Sequence, residues 1–332
     1  MRTFNTLIAA AAVALMATTA SAAETVKIAW SHYTGWEPLG VMMDNGILAK
    51  HAAANGVNIE MVFVGDYVDS LTLYGASQFN GVAVTNMDVL AIPGVGGRHS
   101  RTAIVGDYSN GNDGLALKNV TISQLNGSTV YLVEFSVSHY MLARCGQIKG
   151  FDMSTMELVN TTDADIPALV ESTDTVVAVS WNPMLMTIRS TNGVEIICTS
   201  ADIPGEIIDM VVVGDEVSDE AIKALRGAWY ETLALIKAGD AATMQALADK
   251  AGSSVADFEA QLATTHMFWT ADEAKAFITS PDLPSTMRSV IAFSFNNGVY
   301  DGVDSVGELG VRFLDGSVLG DENNVMLTFI TE

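Results

Sequence analysis

The sequence is short of several things. Only two of its 332 residues are cysteine, too few for a disulfide scaffold. Cys145 falls in a helical stretch and Cys198 in the strand-like EIICTS, so a bridge and a pair of buried thiols both remain open. Basic side chains are scarce: 16 Lys and Arg stand against 39 Asp and Glu, a net charge of −23. That balance makes nucleic acid and anionic lipid surfaces poor partners. Most of the surplus reads as a solvated acidic surface with a modest pull on cations. After the first residues, no run is long and apolar enough to cross a bilayer.

Catalytic signatures are missing too. There is no HExxH, P-loop, CxxC or GxSxG, and GVGG at 94–97 lacks the last glycine of a dinucleotide loop. His32, His51, His99, His139 and His266 are scattered without metal-ligand spacing. DYSNGNDG (107–114) has calcium-loop flavour but neither the alternating acids nor the terminal Glu, so it reads as a turn. His139, one turn into its helix, reads as a satisfied helix-start histidine. With no nucleophile–base pair, no cofactor motif and no metal set, binding is expected rather than catalysis.

What is present begins with MRTFNTLIAAAAVALMATTASAAE. One Arg, a short apolar stretch and small residues ending Ala-Ser-Ala-Ala read as a secretory signal peptide over residues 1–23, cut near Ala22 or Ala23. Periplasmic export is the expectation. Cleavage removes Arg2 and no acid, leaving 15 basic against 39 acidic side chains, a net −24. About 310 residues remain, room for one large domain or two ordinary ones.

Strand-like runs alternate with helical ones. VKIAW (26–30), NIEMVFV (58–64), GVAVT (81–85), RTAIVG (101–106), STVYLV (128–133), MELVN (156–160), TVVAVSW (175–181), EIICTS (195–200) and IIDMVVVG (207–214) read as strands. Helices are expected over 37–54, 66–77, behind a Ser136 or Ser138 cap, and near 163–171. This alternation predicts an α/β fold with parallel or mixed sheets. The tail reads as mostly helical. Ile222, Leu225, Trp229, Leu233 and Ile236 form one stripe behind acids and before Gly239, and Thr270 with Glu273 suggests a capping box. The turn-rich DYSNGNDG and TSADIPGE (199–206) look like two crossings. They would divide the chain into one lobe of residues 24–110 plus 201–332 and a second of 111–200, with a closable cleft between.

Several stretches together resemble the substrate-binding proteins of nitrate/taurine-type ABC importers: TGWEPLGVMMDNGILAKH, VGDYVDSLTLYGASQFNGVAVTNMD, ISQLNGSTVYLVEFSVSHYMLARCG and VVAVSWNPM. More narrowly, TNMD, GDYSNGNDG, VEFSVSHY, WNPM, GEIIDM and GAWYETLAL resemble the branch encoded beside urea (guanidine) carboxylases. The resemblance implies the two-lobed type II periplasmic-binding-protein fold and a membrane permease as partner. It also implies a ligand at the junctions Ser31–Glu37, Thr85–Asp88, Gly106–Tyr108, Glu134–Ser138 and Trp181–Asn182. The candidate contacts there are Tyr33, Trp36, Glu37, Thr85, Asn86, Asp88, Asp107, Glu134, Ser136, Ser138, Trp181 and Asp209.

These junctions are acidic, where receptors for nitrate or sulfonates need donors. Glu134 poses the sharpest question, because a strand running into a helix N-terminus is a ready anion site. It reads as a ligand carboxylate facing a cation, against the blander role of balancing the helix dipole. Trp36 and Trp181 suit either core or an aromatic wall, and Asp88 suits either a cap or a contact. Asp209, inside an apolar strand, needs a partner. Asp66, Asp69, Asp113 and Asp215 read as caps or surface. A planar guanidinium matches carboxylates in bidentate fashion and stacks on aromatic faces. Neutral urea would not offset the burial of several carboxylates. The expectation is a guanidinium receptor. Urea or another small amine receptor, a pyrimidine-synthase-like enzyme of thiamine biosynthesis, and a sensor of the same fold are the alternatives.

Overall fold

The computed structural model describes residues 23–300 and 302–331, so nearly all of the expected leader lies outside the described residues. The chain begins with β1 (Thr25–Trp30), α1 (Glu37–Asp44), α2 (Ile47–Ala54), β2 (Asn58–Phe63), α3 (Tyr67–Gly75) and β3 (Gly81–Thr85). A π-helical turn (Leu90–Gly94) leads to β4 (Ser100–Ser109). Next come β5 (Asp113–Lys118), β6 (Thr129–Leu132), α4 (Val137–Lys149), β7 (Glu157–Asn160), α5 (Ile166–Ser172), β8 (Val176–Trp181), α6 (Met184–Arg189) and β9 (Val194–Thr199). The return leg holds β10 (Ile208–Val213), α7 (Asp219–Lys237), α8 (Ala241–Lys250), α9 (Val255–Leu262), β11 (Thr265–Met267), α10 (Ala271–Ile278) and α11 (Leu283–Asn296). It ends with β12 (Gly310–Arg312), β13 (Val318–Leu319) and β14 (Val325–Thr328).

The strands form two mixed sheets flanked by helices. The larger runs β13-β12-β14-β4-β10-β3-β1-β2, with β11 also on β4; the smaller runs β7-β6-β8-β5-β9. β1, β2 and β3 are parallel, and β10 inserts antiparallel between β3 and β4. In the smaller sheet β6 is parallel to β7 and β8, while β5 is antiparallel to β8 and β9. The central strands β3, β5, β8 and β10 are buried along their whole length, as continuous apolar runs covered on both faces should be.

Local chemistry accounts for the helices. In α7 the Ser218 hydroxyl accepts from the Ala221 amide, acids occupy the first turn, Lys237 the last, and Gly239 follows at φ 67°. Its stripe of Ile222, Leu225, Trp229, Leu233 and Ile236 is buried. Burying side chains of this size contributes roughly 1.5–3 kcal/mol each.

Four expectations change. The helix expected over 37–54 is two, because the chain turns at Asn45-Gly46, where Gly46 takes φ 78°. The turn expected over 107–114 shrinks to residues 110–112, since β4 runs to Ser109 and β5 begins at Asp113. The tail also contributes β11 to β14, strands of two to four residues that carry too little alternation to read from sequence. Cys145 of α4 and Cys198 of β9 form a disulfide with Cα atoms 5.9 Å apart, which settles the open alternative.

Candidate ligand site

The registers set the site. Asp209, at the amino end of β10, lies opposite Thr85 of β3 on one side and Asp107 of β4 on the other. Thr85, Asp209 and Asp107 thus form one row across three strands at an edge of the larger sheet. In the smaller sheet Asp113 of β5 lies opposite Trp181 of β8. A small cavity separates the rows, with an empty volume near 250 Å³ including open solvent. Tyr33, Trp36, Tyr67 and Trp181 wall it, with Thr85, Val137 and Ile207; Asp113 and Asp209 are its carboxylates. No Lys, Arg or His lines it.

The walls are aromatic and mutually braced. Trp36 packs on Tyr33 and Tyr67 with ring centres 5.1 and 5.6 Å apart, and Tyr67 meets Trp181 edge-on at 5.6 Å. The Trp181 indole N–H donates to the His32 carbonyl at 3.0 Å, and the Thr34 amide to the Asn182 carbonyl at 3.3 Å. Both bonds run between the chain segments carrying the two sheets, so the cavity is held closed by its own walls.

Four carboxyls crowd within or behind this space. Tyr33 OH donates to Asp107 Oδ1 at 2.9 Å, and Tyr67 OH to Asp88 Oδ2 at 2.9 Å. Burial and the neighbouring acids hold both phenols far above their usual range, so they act as neutral donors. Ser109 donates to Asp113 Oδ2 at 2.5 Å. Burial pushes Asp113 up to about 7, against the relief of Ser109 and with a push from Asp88; burial likewise lifts Asp88 to about 7. Asp107 and Asp209 are a coupled buried pair, both raised, Asp209 further. Burial is the main cause for both, and the neighbouring Asp107 and Asp113 charges raise Asp209 further. Gly35 makes room, since a Cβ there would lie 2.4 Å from Asp107 Oδ2. Among the described residues no group of three His, Cys, Asp or Glu could hold a metal ion.

Of the residues singled out from sequence, Tyr33, Trp36, Thr85, Trp181 and Asp209 line the cavity, and Asp107 stands behind. Others serve the framework. Asn86 locks β10 by accepting from the Ile208 amide and donating to the Glu206 carbonyl. Glu37 pairs with His32 at 2.7 Å. Ser136 caps α4, accepting from the Ser138 amide, while Ser138 is buried with its hydroxyl unpartnered. His139 is buried, its Nδ1 lacks a partner, and burial lowers it to about 4; it is therefore neutral but not satisfied. Glu134 is half-buried and outside the cavity; its amide donates to Asn160 Oδ1. Asp113 is the main correction: fully buried in the cavity wall, it is neither cap nor surface. Its flanking turn formers hid it. The signal that could have found it is the alternation of Leu115 and Leu117 behind it, which makes it the first residue of a strand.

No family model matches this chain, and no curated protein matches it. Solved structures do. The alkanesulfonate-binding protein SsuA from Xanthomonas axonopodis pv. citri, bound to MOPS, superposes with a TM-score of 0.70 at 12% identity over 85% of this chain and 96% of that one. The periplasmic aliphatic sulphonate binding protein SsuA from Escherichia coli gives 0.67 at 13% over 84% and 94%. The periplasmic nitrate-binding protein NrtA from Synechocystis PCC 6803 gives 0.57 at 14% over 91% and 97%. Likeness at this identity is a likeness of fold, and the fold is the type II periplasmic-binding-protein architecture. What occupies the cavity must be argued from its own residues.

Proposed function

We propose that the chain is a periplasmic receptor of an ABC importer, that it closes on guanidinium or a closely related small nitrogen-rich cation, and that it delivers this solute to a membrane permease. One observation carries the reading: Asp113 and Asp209 face a small aromatic-walled cavity that holds no basic side chain. Buried carboxylates without a counter-charge are costly, and a bound cation would supply it. Guanidinium offers edge donors to both carboxylates and flat faces to Trp36 and Trp181. The named structural neighbours bind alkanesulfonate, aliphatic sulphonate and nitrate. In this chain the titratable side chains lining the cavity include Asp113 and Asp209 and no basic group, which suits a cation rather than those anions.

The expected export and the missing Cys-rich motif speak for a receptor over an enzyme of the pyrimidine-synthase type, which shares the fold. Urea is the second reading. A protonated Asp209 would donate to its carbonyl, while Asp113 accepts from its amides.

The test is calorimetry and thermal shift with guanidinium, methylguanidine, urea, agmatine, nitrate and taurine, at concentrations far below denaturing ones. Guanidinium or a relative should bind tightest. An anion as the best ligand overturns the cation reading, and product formation, followed by mass spectrometry, overturns the receptor reading.

A further inference from the structure

The amino end of α4 offers the free amides that make a helix N-terminus attractive to anions. It is already occupied from across the cleft. Asp88 follows β3 of the larger sheet, and Val137 opens α4, which packs on the smaller one; Asp88 Oδ2 accepts from the Val137 amide at 3.1 Å. The same oxygen accepts from Tyr67 OH at 2.9 Å. Asp88 is fully buried, its Oδ1 has no partner, and the buried Ser138 hydroxyl in the first turn of α4 has none either. The site therefore holds donors for an oxyanion, and the protein fills it with a carboxyl group of its own.

We propose that Asp88 is the specificity-determining residue of this cleft: an internal carboxyl group that fills the α4 N-terminus and bars anionic solutes. The inference rests on the reading of the adjacent cavity as the ligand site. Glu134, nearer in sequence, does not make this contact. The Asp88 carboxylate does so 49 residues away in sequence, and it also bridges the two sheets. Losing it leaves the Val137 amide and Tyr67 OH facing a gap the size of the lost carboxyl group, close to that of formate.

The experiment compares the wild-type chain with Asp88→Ala and Asp88→Asn, using formate and nitrate as probes, guanidinium in parallel, and chloride at matched ionic strength as control. Asp88→Ala should gain saturable formate and nitrate binding at least about tenfold tighter than wild type, read by calorimetry and by a rise in melting temperature. Asp88→Asn, which keeps the shape and an acceptor for the Val137 amide, should gain neither. If Asp88→Ala does not fold alone, formate during refolding should restore a cooperative melt. A folded Asp88→Ala that gains no anion, a wild type that binds nitrate as well as the variant, or an unfolded variant that formate does not restore each overturns the proposal. The guanidinium arm separates the two readings. Wild type failing to bind guanidinium while Asp88→Ala gains anions removes the cation reading and leaves the role of Asp88 standing.

Discussion

Guanidinium affinity should rise with pH, and the size of the rise follows from one side chain. Asp113 lines the cavity, and burial lifts it from 3.8 to about 7. Guanidinium needs it ionised and stays charged throughout the range. Roughly one molecule in ten carries an ionised Asp113 at about pH 6 and roughly nine in ten at about pH 8, so affinity should increase about tenfold between them. A second carboxylate ionising on binding, within the Asp107–Asp209 pair, would steepen the slope. Isothermal calorimetry in two buffers of different ionisation enthalpy checks this directly, because binding near about pH 6 should release close to one proton. Asp113→Asn should flatten the profile and weaken binding at high pH by about ten- to a hundredfold, the loss of one charge-assisted bond. A flat profile, or one that falls with pH, would refute the charge argument. A falling profile for urea alone is the signature of a protonated Asp209 donating to a neutral ligand.

The same groups set three further expectations. Because folding raises these carboxyls, the folded chain holds more protons than the unfolded one between about pH 4 and about pH 7. Apo stability should therefore fall across that window, by roughly 3–4 kcal/mol for Asp113 alone, visible as a lower melting temperature at pH 8 than at pH 5; saturating guanidinium should reverse the trend. Removing the disulfide with Cys145→Ala and Cys198→Ala, which opens a sequence separation of 53, should lower stability by roughly 4 kcal/mol in the loop-entropy account, with denaturant titration as the measurement. Trp181→Ala should weaken ligand binding and also lower the apo melting temperature, since the indole both walls the cavity and donates to the His32 carbonyl. Trp181→Phe should keep more of the binding, and a variant of either kind with unchanged affinity would place the ligand elsewhere.

Features made by neighbours in sequence could be read from it. The cap, acid-rich first turn and apolar stripe of α7 are local signals, and the helix spans Asp219–Lys237. Valine- and isoleucine-rich runs such as Val176–Trp181 and Ile208–Val213 announced buried strands for the same reason. Features made by register could not. Nothing near Asp113 says that it will lie opposite Trp181, and nothing near Asp107 says that it will share a row with Asp209 and Thr85. The choice between Glu134 and Asp88 shows the limit most clearly. Sequence proximity favours the carboxylate beside the helix, whereas the structure brings in one from another sheet.

That substitution bears on why the protein tolerates so much buried acid. Asp88 has two donors, Tyr67 OH and the Val137 amide, and a helix dipole besides. Asp107 has Tyr33, and Asp113 has Ser109. Asp209 has an unpartnered Oδ2, and burial with the neighbouring Asp107 and Asp113 charges raises it well above the usual carboxylate range. An acid cluster graded in this way is not arranged for maximum stability, because replacing it with apolar residues of similar size would remove the desolvation cost. On the proposed reading, the element it lacks is a compact cation with several donors. The free energy withheld by burying Asp113 and Asp209 without a counter-charge would then be the free energy a cationic ligand releases when it arrives. A receptor of the proposed kind would gain affinity and charge selectivity from the same side chains.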